Sequence, residues 1–136
     1  MLPNETRLNE LFNYLEKREV QTGDHLIHQT DAPDNLYFVE SGQVTAQLEH
    51  SGQSAVRLET MRSGRVVGEL GFYLGQKRTA AVITDEPSVV YLLIAEQLAE
   101  MEKNSPEAAS YFHQLIIQLL AERTTHLIRT IAALEK

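Results

Sequence analysis

The chain has 136 residues, of which 43% are hydrophobic and none is cysteine. This length suffices for one domain with a buried core, and the lack of cysteine excludes disulfides, thiolate catalysis and cysteine-based zinc sites. The 19 acidic residues outnumber the 12 basic ones, and the resulting net charge of −7 repels nucleic-acid backbones. We therefore expect one domain over residues 1–136 that does not bind DNA.

The sequence predicts neither a membrane span nor a secretory leader. No apolar run approaches the roughly 18–20 residues that cross a bilayer. The first five residues lack a basic stretch followed by an apolar one. The absence of cysteine fits a reducing compartment, so we expect a cytoplasmic location.

The first element is predicted to be a helix. Leu8, Leu11, Phe12 and Leu15 recur at helical spacing, which indicates an amphipathic helix over about residues 5–18.

From about residue 19 to residue 94 the apolar pattern has a period of two. Turn-forming residues interrupt it at Thr22–Asp24, Asp31–Asp34, Ser41–Gly42, Ser51–Gly52, Ser63–Gly64 and Asp85–Pro87. Many short strands at such spacing indicate a jelly roll rather than a parallel sheet with helical crossovers. The predicted fold class is mainly β, a roll with flanking helices.

Helical spacing returns after the roll. It predicts one helix over about residues 95–104 and a second over about 106–135, with Ser105 as N-cap and Pro106 at the first helical position. The second helix is about 42 Å long at 1.5 Å per residue. This exceeds what is needed to cover the roll.

The long helix therefore predicts a homodimer through residues 107–134. A seam with steps of three and four residues, close to that of a coiled coil, is formed by Phe112, Ile116, Leu119, Arg123, Leu127, Thr130 and Leu134. In the alternative the helix folds back over its own roll, and Arg123 would then cover a ligand.

The segment Gly68–Ala80 carries the most specific pattern of the chain. Gly68 permits backbone conformations closed to other residues, and Gly71 would let a ligand approach the main chain without meeting a Cβ. A short helix beginning near Glu69 would direct free N–H groups at a phosphate. The segment is built like an anion site.

Two charged residues of this segment define the ligand further. Arg78 offers a planar fork of donors that matches two phosphate oxygens. Glu69 would repel a phosphate unless it accepts a hydrogen bond from a sugar hydroxyl. Together they predict a nucleotide, with a ribose hydroxyl next to an anionic phosphate.

Residues 67–80, VGELGFYLGQKRTA, resemble the phosphate-binding cassette of cyclic-nucleotide-binding domains. In that cassette Phe-Gly-Glu-Leu-Ala-Leu-Leu is followed, after three variable residues, by Pro-Arg-X-Ala. Its glycine, glutamate, arginine and final alanine all fall in register here. The chain departs from the pattern at Gly71, where the family has alanine, and at Lys77, where it has proline.

The resemblance implies a role for each matching residue. Glu69 would bind the ribose 2′-hydroxyl and Arg78 the cyclic phosphate. Main-chain amides of Gly68, Leu70 and Gly71 would complete the cradle.

Thr79 does not identify the base of the ligand. It is expected either to contact the phosphate or a base amino group, or to face solvent. The ligand is therefore cAMP or cGMP, and no catalytic cofactor is expected.

The resemblance covers about residues 8–135. Residues 22–27, TGDHLI, resemble the family's first strand entry, and residues 36–44, LYFVESGQV, resemble its hairpin. This implies the β-roll of catabolite-activator-type domains. Within the family, residues 68–91 and 119–123 look most like domains appended to bacterial sulfate-permease-type anion transporters.

These observations predict a regulatory sensor that signals through its C-terminal helix to a fused or associated protein. An anion transporter in the same chain is one such output, which would place the domain at the cytoplasmic face of a membrane. The alternative is a nucleotide-free dimerisation module that kept the fold, with Glu69 and Arg78 paired to each other.

We expect no metal site and no enzymatic activity. His25 and His28 are three residues apart in a predicted strand, which puts them on opposite faces. The sequence shows no nucleophile with a nearby base, no carboxylate pair and no Walker-type loop.

Overall fold

The structure is a computed structural model that describes residues 5–50 and 52–134. Its elements in chain order are α1 (Glu5–Phe12), β1 (Glu16–Val20), β2 (His25–Ile27), β3 (Asn35–Leu48), β4 (Val56–Met61), β5 (Val66–Val67), α2 (Glu69–Leu74), β6 (Ala81–Ile94), α3 (Ala95–Asn104) and α4 (Pro106–Leu134). Ser51 of one predicted turn and residue 135 of the last predicted helix lie outside the described residues.

The two long strands β3 and β6 form the centre of an open sheet with the order β1-β6-β3-β4. Strand β2 also pairs with β6, and β5 with β3. Every pair is antiparallel. The predicted class, mainly β with flanking helices, is confirmed.

Two of the predicted turns lie inside continuous strands, so those predictions are wrong. Residues 41–42 belong to β3 and residues 85–87 to β6, and the two strands shift register there, with Gln43 opposite Glu86. Gly42 has a φ of 92°, and a Cβ in its place would lie 2.0 Å from Ser88 Oγ. Such irregularities bend strands without ending them.

The N-terminal helix is shorter than predicted. It ends at Phe12 rather than near residue 18, and the strand region begins at Glu16 rather than at 19. Residues 16–20 pair with residues 88–92 of β6. This tertiary pairing satisfies the main chain of the segment and overrides its helical spacing.

The C-terminal helices agree with the predicted bounds. Helix α4 begins at Pro106, and the Ser105 hydroxyl before it lies 2.9 Å from the Tyr14 hydroxyl. Within residues 5–50 and 52–134, no helix has both the length and the apolar character that a membrane span requires.

Apolar side chains form two buried clusters. One fills the interior of the roll and includes Val44 and Val90. The other lies between the roll and the helices, and there Phe112 and Ile116 are 0% and 1% exposed. The prediction that these two residues contact a second copy is therefore wrong, because they pack against the roll of their own chain.

The end of α4 has the opposite character. Beyond Arg123 its apolar side chains are between 57% and 80% exposed, namely Leu127, Ile128, Ile131 and Leu134. The first half of α4 thus covers the roll, and the second half leaves an apolar face in solvent.

Candidate ligand-binding site

A left-handed glycine leads from the sheet into the predicted cassette. The buried strand β5 delivers the chain to Gly68, which has φ 83° and ψ 9°, a conformation that glycine adopts without strain. Helix α2 then begins at Glu69, as the sequence predicts. The first N–H groups of such a helix have no acceptor within the helix.

Arg78 is buried beside this turn, with 7% of its surface exposed. Its Nη1 donates to the main-chain oxygen of Gly68 at 2.6 Å. Its Nη2 donates to the main-chain oxygen of Asn35 and to Asn35 Oδ1, the latter at 3.1 Å. Its Nε is buried, and no acceptor for it lies in the described part of the chain.

The guanidinium of Arg78 also lacks a close counter-ion. Among residues 5–50 and 52–134, no carboxylate oxygen lies within 4.0 Å of it. Burial lowers the pKa of Arg78, because desolvation disfavours the charged form, yet an arginine remains a cation at neutral pH. A buried cation with an unsatisfied donor is costly, and an anion that reaches Nε would relieve both costs.

Two glycines make room for this guanidinium. A Cβ on Gly68 would lie 2.9 Å from Arg78 Nη1, and one on Gly71 would lie 3.0 Å from the same atom. The sequence predicts that Gly71 clears space for a ligand, whereas the space holds the Arg78 side chain. This close approach explains glycine where the related cassettes have alanine.

Glu69 is the buried carboxylate of the site, with 4% of its surface exposed. It forms an ion pair with Nη1 of Arg123 on α4. Arg123 Nη2 lies 3.6 Å from Oε2 of Glu59 on β4, and Oε1 of Glu59 pairs with Arg65. We call these four residues the charge chain, namely Arg65, Glu59, Arg123 and Glu69. The charge chain connects the roll to α4 and to α2.

The cassette, strand β4 and Arg123 surround a cavity of about 300 Å³. Its lining includes every site residue predicted from sequence, namely Gly68, Glu69, Leu70, Gly71, Arg78, Thr79 and Arg123. Of these predicted site residues, Thr79 and Leu70 are exposed. Because Glu69 pairs with Arg123 and Arg78 with main-chain groups, the alternative in which Glu69 and Arg78 pair with each other is wrong.

Sequence reasoning missed Asn35, Glu59 and Arg65. Asn35 bonds Arg78 across 43 positions of sequence, and no local motif marks it. Glu59 carried a signal in the alternation of β4. Side chains of alternate strand residues share a face, and Met61, two residues on, is buried.

A second contact ties the cassette to the C-terminal helices. The hydroxyl of Tyr73 on α2 lies 2.9 Å from Nδ1 of His113 on α4, and Nε2 of His113 lies 3.4 Å from Glu102 on α3. Burial raises the pKa of Tyr73 well above its ordinary value, and Glu102 adds to the effect. The phenol is thus neutral at physiological pH, and the imidazole tautomer of His113 sets the direction of their hydrogen bond.

The histidine pair differs from the prediction. The rings of His25 and His28 stack with centroids 4.6 Å apart, because β2 ends at Ile27 and its register shifts before that residue. His25 Nε2 lies 3.0 Å from Oε2 of Glu49, and this hydrogen bond lowers the pKa of Glu49. In the described ranges no three metal-ligating side chains are grouped to hold an ion.

The antiparallel roll, its flanking helices and the glycine turn beside a buried arginine together define the class of domain to which the chain belongs. The family model described as cyclic nucleotide-binding domain matches residues 17–105. The chain belongs to that family, which confirms the broader resemblance seen in the sequence.

Solved structures share the fold over nearly the whole chain. A cyclic nucleotide-binding domain from Methylobacillus flagellatus KT is 18% identical, with a TM-score of 0.83 over 96% of this chain and 74% of that one. The catabolite activator protein of Thermus thermophilus is 22% identical, with a TM-score of 0.72 over 97% of this chain and 60% of that one.

Curated relatives carry this domain as a small part of a longer chain. An NTE family protein of Mycobacterium tuberculosis is 27% identical over 119 residues, which are 88% of this chain and 20% of the relative. Glutaminase 1 of Bradyrhizobium diazoefficiens is 29% identical over 106 residues, 78% of this chain and 16% of the relative. The chain therefore spans a fifth or less of these relatives.

Proposed function

We propose that the chain is a regulatory sensor domain that binds cAMP or cGMP at Gly68–Thr79 and signals through α4. The observation that carries the proposal is Arg78, a buried cation whose Nε donor has no acceptor among residues 5–50 and 52–134. A cyclic phosphate supplies both the negative charge and the acceptor oxygens. Main-chain amides of Gly68, Leu70 and Gly71 complete the phosphate cradle.

Glu69 binds the ribose 2′-hydroxyl in this proposal. The hydroxyl donates to a carboxylate that Arg123 already contacts, so the ligand and α4 share one acceptor. Ligand binding therefore changes the free energy of the Glu69–Arg123 pair and shifts the population of α4 positions. The Tyr73–His113 hydrogen bond gives the cassette a second route to the same helix.

The exposed end of α4 supports dimerisation through residues 107–134. Its apolar side chains form a face of the kind that marks protein interaction sites, and a two-fold axis would place each residue near its own copy. The contacts of the predicted seam are restricted to residues beyond Arg123, because Phe112 and Ile116 are buried and Leu119 packs partly against the core of its own chain. This face also favours the second candidate function, a nucleotide-free dimerisation module.

In this proposal the signal from α4 acts on a protein that is fused to the chain or associates with it. The relatives in which this domain is a fifth or less of the chain support such a modular role, and any catalytic activity then belongs to another part of a longer protein. An anion transporter at the cytoplasmic face of a membrane is our specific proposal, on the resemblance of residues 68–91. That the chain does not bind DNA stays a prediction.

Calorimetry of the purified chain against cAMP and cGMP tests the proposal. We expect one site per chain for at least one of the two ligands and much weaker binding of the open 5′-monophosphates. A folded chain that releases no heat with either cyclic nucleotide at millimolar concentration contradicts the sensor function and leaves the dimerisation module.

A further inference from the structure

Strand β4 presents a carboxylate to the ligand cavity. Val56 and Leu58 are 49% and 53% exposed, whereas Met61 is 4% exposed. Glu59 lies on the face of Met61 and lines the cavity with it. The strand thus turns its apolar residues outward at this end and a charged one inward.

One oxygen of Glu59 is open to a ligand donor. Oε1 is engaged by Arg65, while Arg123 Nη2 lies 3.6 Å from Oε2, too far for a hydrogen bond. Within residues 5–50 and 52–134, no hydrogen bond reaches Oε2.

Arg123 stands between two adjoining cavities. Beyond the cavity of the cassette lies a second one of about 560 Å³, and both are lined by Glu59, Val66 and Arg123. The walls of the second cavity include Leu58 from the roll and Leu119 and Leu127 from α4. Aliphatic walls with charged groups at the edge suit a flat aromatic base.

The positions of the two carboxylates match the two ends of a nucleoside. A single guanidinium, that of Arg123, contacts Glu69 through Nη1 and approaches Glu59 through Nη2. The carboxylates of Glu59 and Glu69 are therefore separated by about the width of one guanidinium group. A nucleotide whose ribose hydroxyl donates to Glu69 would therefore have its base within reach of Glu59.

We propose that Glu59, held by Arg65, reads the base and makes the site select guanine over adenine; this rests on the proposed cyclic-nucleotide function. Guanine carries N1–H and N2–H donors side by side, either of which can donate to the open Oε2 of Glu59, and its O6 and N7 acceptors fit an arginine. Adenine places the acceptor N1 next to its amino group, and that lone pair faces a carboxylate unfavourably.

Titrations with cGMP, cAMP and inosine 3′,5′-cyclic monophosphate test this specificity. The wild-type chain should bind cGMP at least about 10-fold more tightly than cAMP, the discrimination of one good base contact. The inosine analogue, which keeps N1–H but lacks the 2-amino group, should fall between them. Glu59→Gln offers an amide of the kind that pairs with adenine, so it should weaken cGMP by about 10-fold and leave cAMP unchanged or tighter.

Glu96→Gln is the matched control, because Glu96 is an exposed residue of α3 that lines neither cavity and the substitution removes the same charge. It should leave the ratio of the two affinities unchanged. Equal binding of cGMP and cAMP by the wild type, a preference for cAMP, or a ratio unmoved by Glu59→Gln overturns the role of Glu59 while the sensor function stands. Failure of every cyclic nucleotide to bind overturns both.

Discussion

The cassette and the end of α4 differ in the kind of group that the fold leaves without a partner. In the cassette the unsatisfied group is polar and buried, since Arg78 is 7% exposed and its Nε donor has no acceptor in the described part of the chain. At the end of α4 the deficit is apolar and open, because Leu127 is 59% exposed. A buried donor without an acceptor is stabilised by a small ligand that brings an acceptor atom to it. An exposed apolar face is stabilised by contact with any broad apolar surface that removes it from water.

The sharpest contrast lies within α4 itself. Phe112→Ala should lower the free energy of unfolding by about 3–5 kcal/mol, since it opens a cavity in a fully buried site, whereas Leu127→Ala should change it by less than about 0.5 kcal/mol. Urea denaturation measures both, at a protein concentration low enough to keep the chain monomeric, because a dimer contact of Leu127 would add to its loss. Similar losses for the two variants would mean that the end of α4 is covered by the chain itself.

The oligomeric state tests the apolar face directly. Leu127→Glu combined with Ile131→Glu should yield a folded monomer, because the roll keeps its own core. Light scattering of the wild type should show a dimer. A wild type that is monomeric at high concentration contradicts the dimer.

Loss of the buried cation should be the largest effect on the cassette. Arg78→Ala should weaken cyclic-nucleotide binding by about 2–5 kcal/mol, the range for truncating one member of a buried charged pair. Arg62→Ala, a change at an exposed cation that lines neither cavity, is the control for net charge and should cost far less. Equal affinities of Arg78→Ala and wild type in calorimetry would remove the phosphate role from this residue.

Glu69 should show a smaller and ligand-dependent effect. Glu69→Gln should weaken a ribonucleotide by about 1.5–3 kcal/mol, the range of a hydrogen bond to a charged group. The 2′-deoxy analogue should lose less, because it lacks the donor. Equal losses for both ligands would mean that Glu69 only holds Arg123 and the loop.

The smallest expected effect concerns the sheet. Burial raises the pKa of Asp85, but hydrogen bonds from Thr45 and Gln43 and the charge of Arg57 outweigh it, and the pKa lies below its ordinary value of 3.8. A lowered pKa in the folded state stabilises the fold above pH 3.8, and the contribution is lost as the pH falls through the folded pKa. Asp85→Asn should cost about 1 kcal/mol at pH 7 and less at pH 2.5. An equal loss of folding free energy at pH 7 and pH 2.5 would contradict the lowered pKa of Asp85.

The cassette could be predicted because its signal is local. Gly68, Glu69 and Arg78 lie within one short segment, and their residue types and spacing alone predict an anion site beside a carboxylate. Asn35 could not be found in this way, and the alternation of β4 marks only the face on which Glu59 lies, because the contacts of both residues depend on how β3 and β4 are placed against the cassette. Ion pairs such as Glu69–Arg123 bridge 54 positions of sequence.

The errors in the fold have a similar origin. Gly42 and Pro87 are residue types that mark turns, yet in β3 and β6 they accompany register shifts inside long strands. Leu15 continues a helical pattern, yet the chain turns after Phe12 to pair with β6. In each case a tertiary pairing, invisible in a local window, outweighs the local preference.

In the proposed sensor the Nε–H of Arg78 donates to the phosphate of a cyclic nucleotide, and NMR of the arginine side chains can detect this hydrogen bond. The Nε–H resonance of Arg78, assigned by its absence in Arg78→Lys, should shift strongly on titration with the cyclic nucleotide that binds best, and should become protected from solvent exchange. An Arg78 resonance that stays in place while the nucleotide saturates the chain would contradict the account.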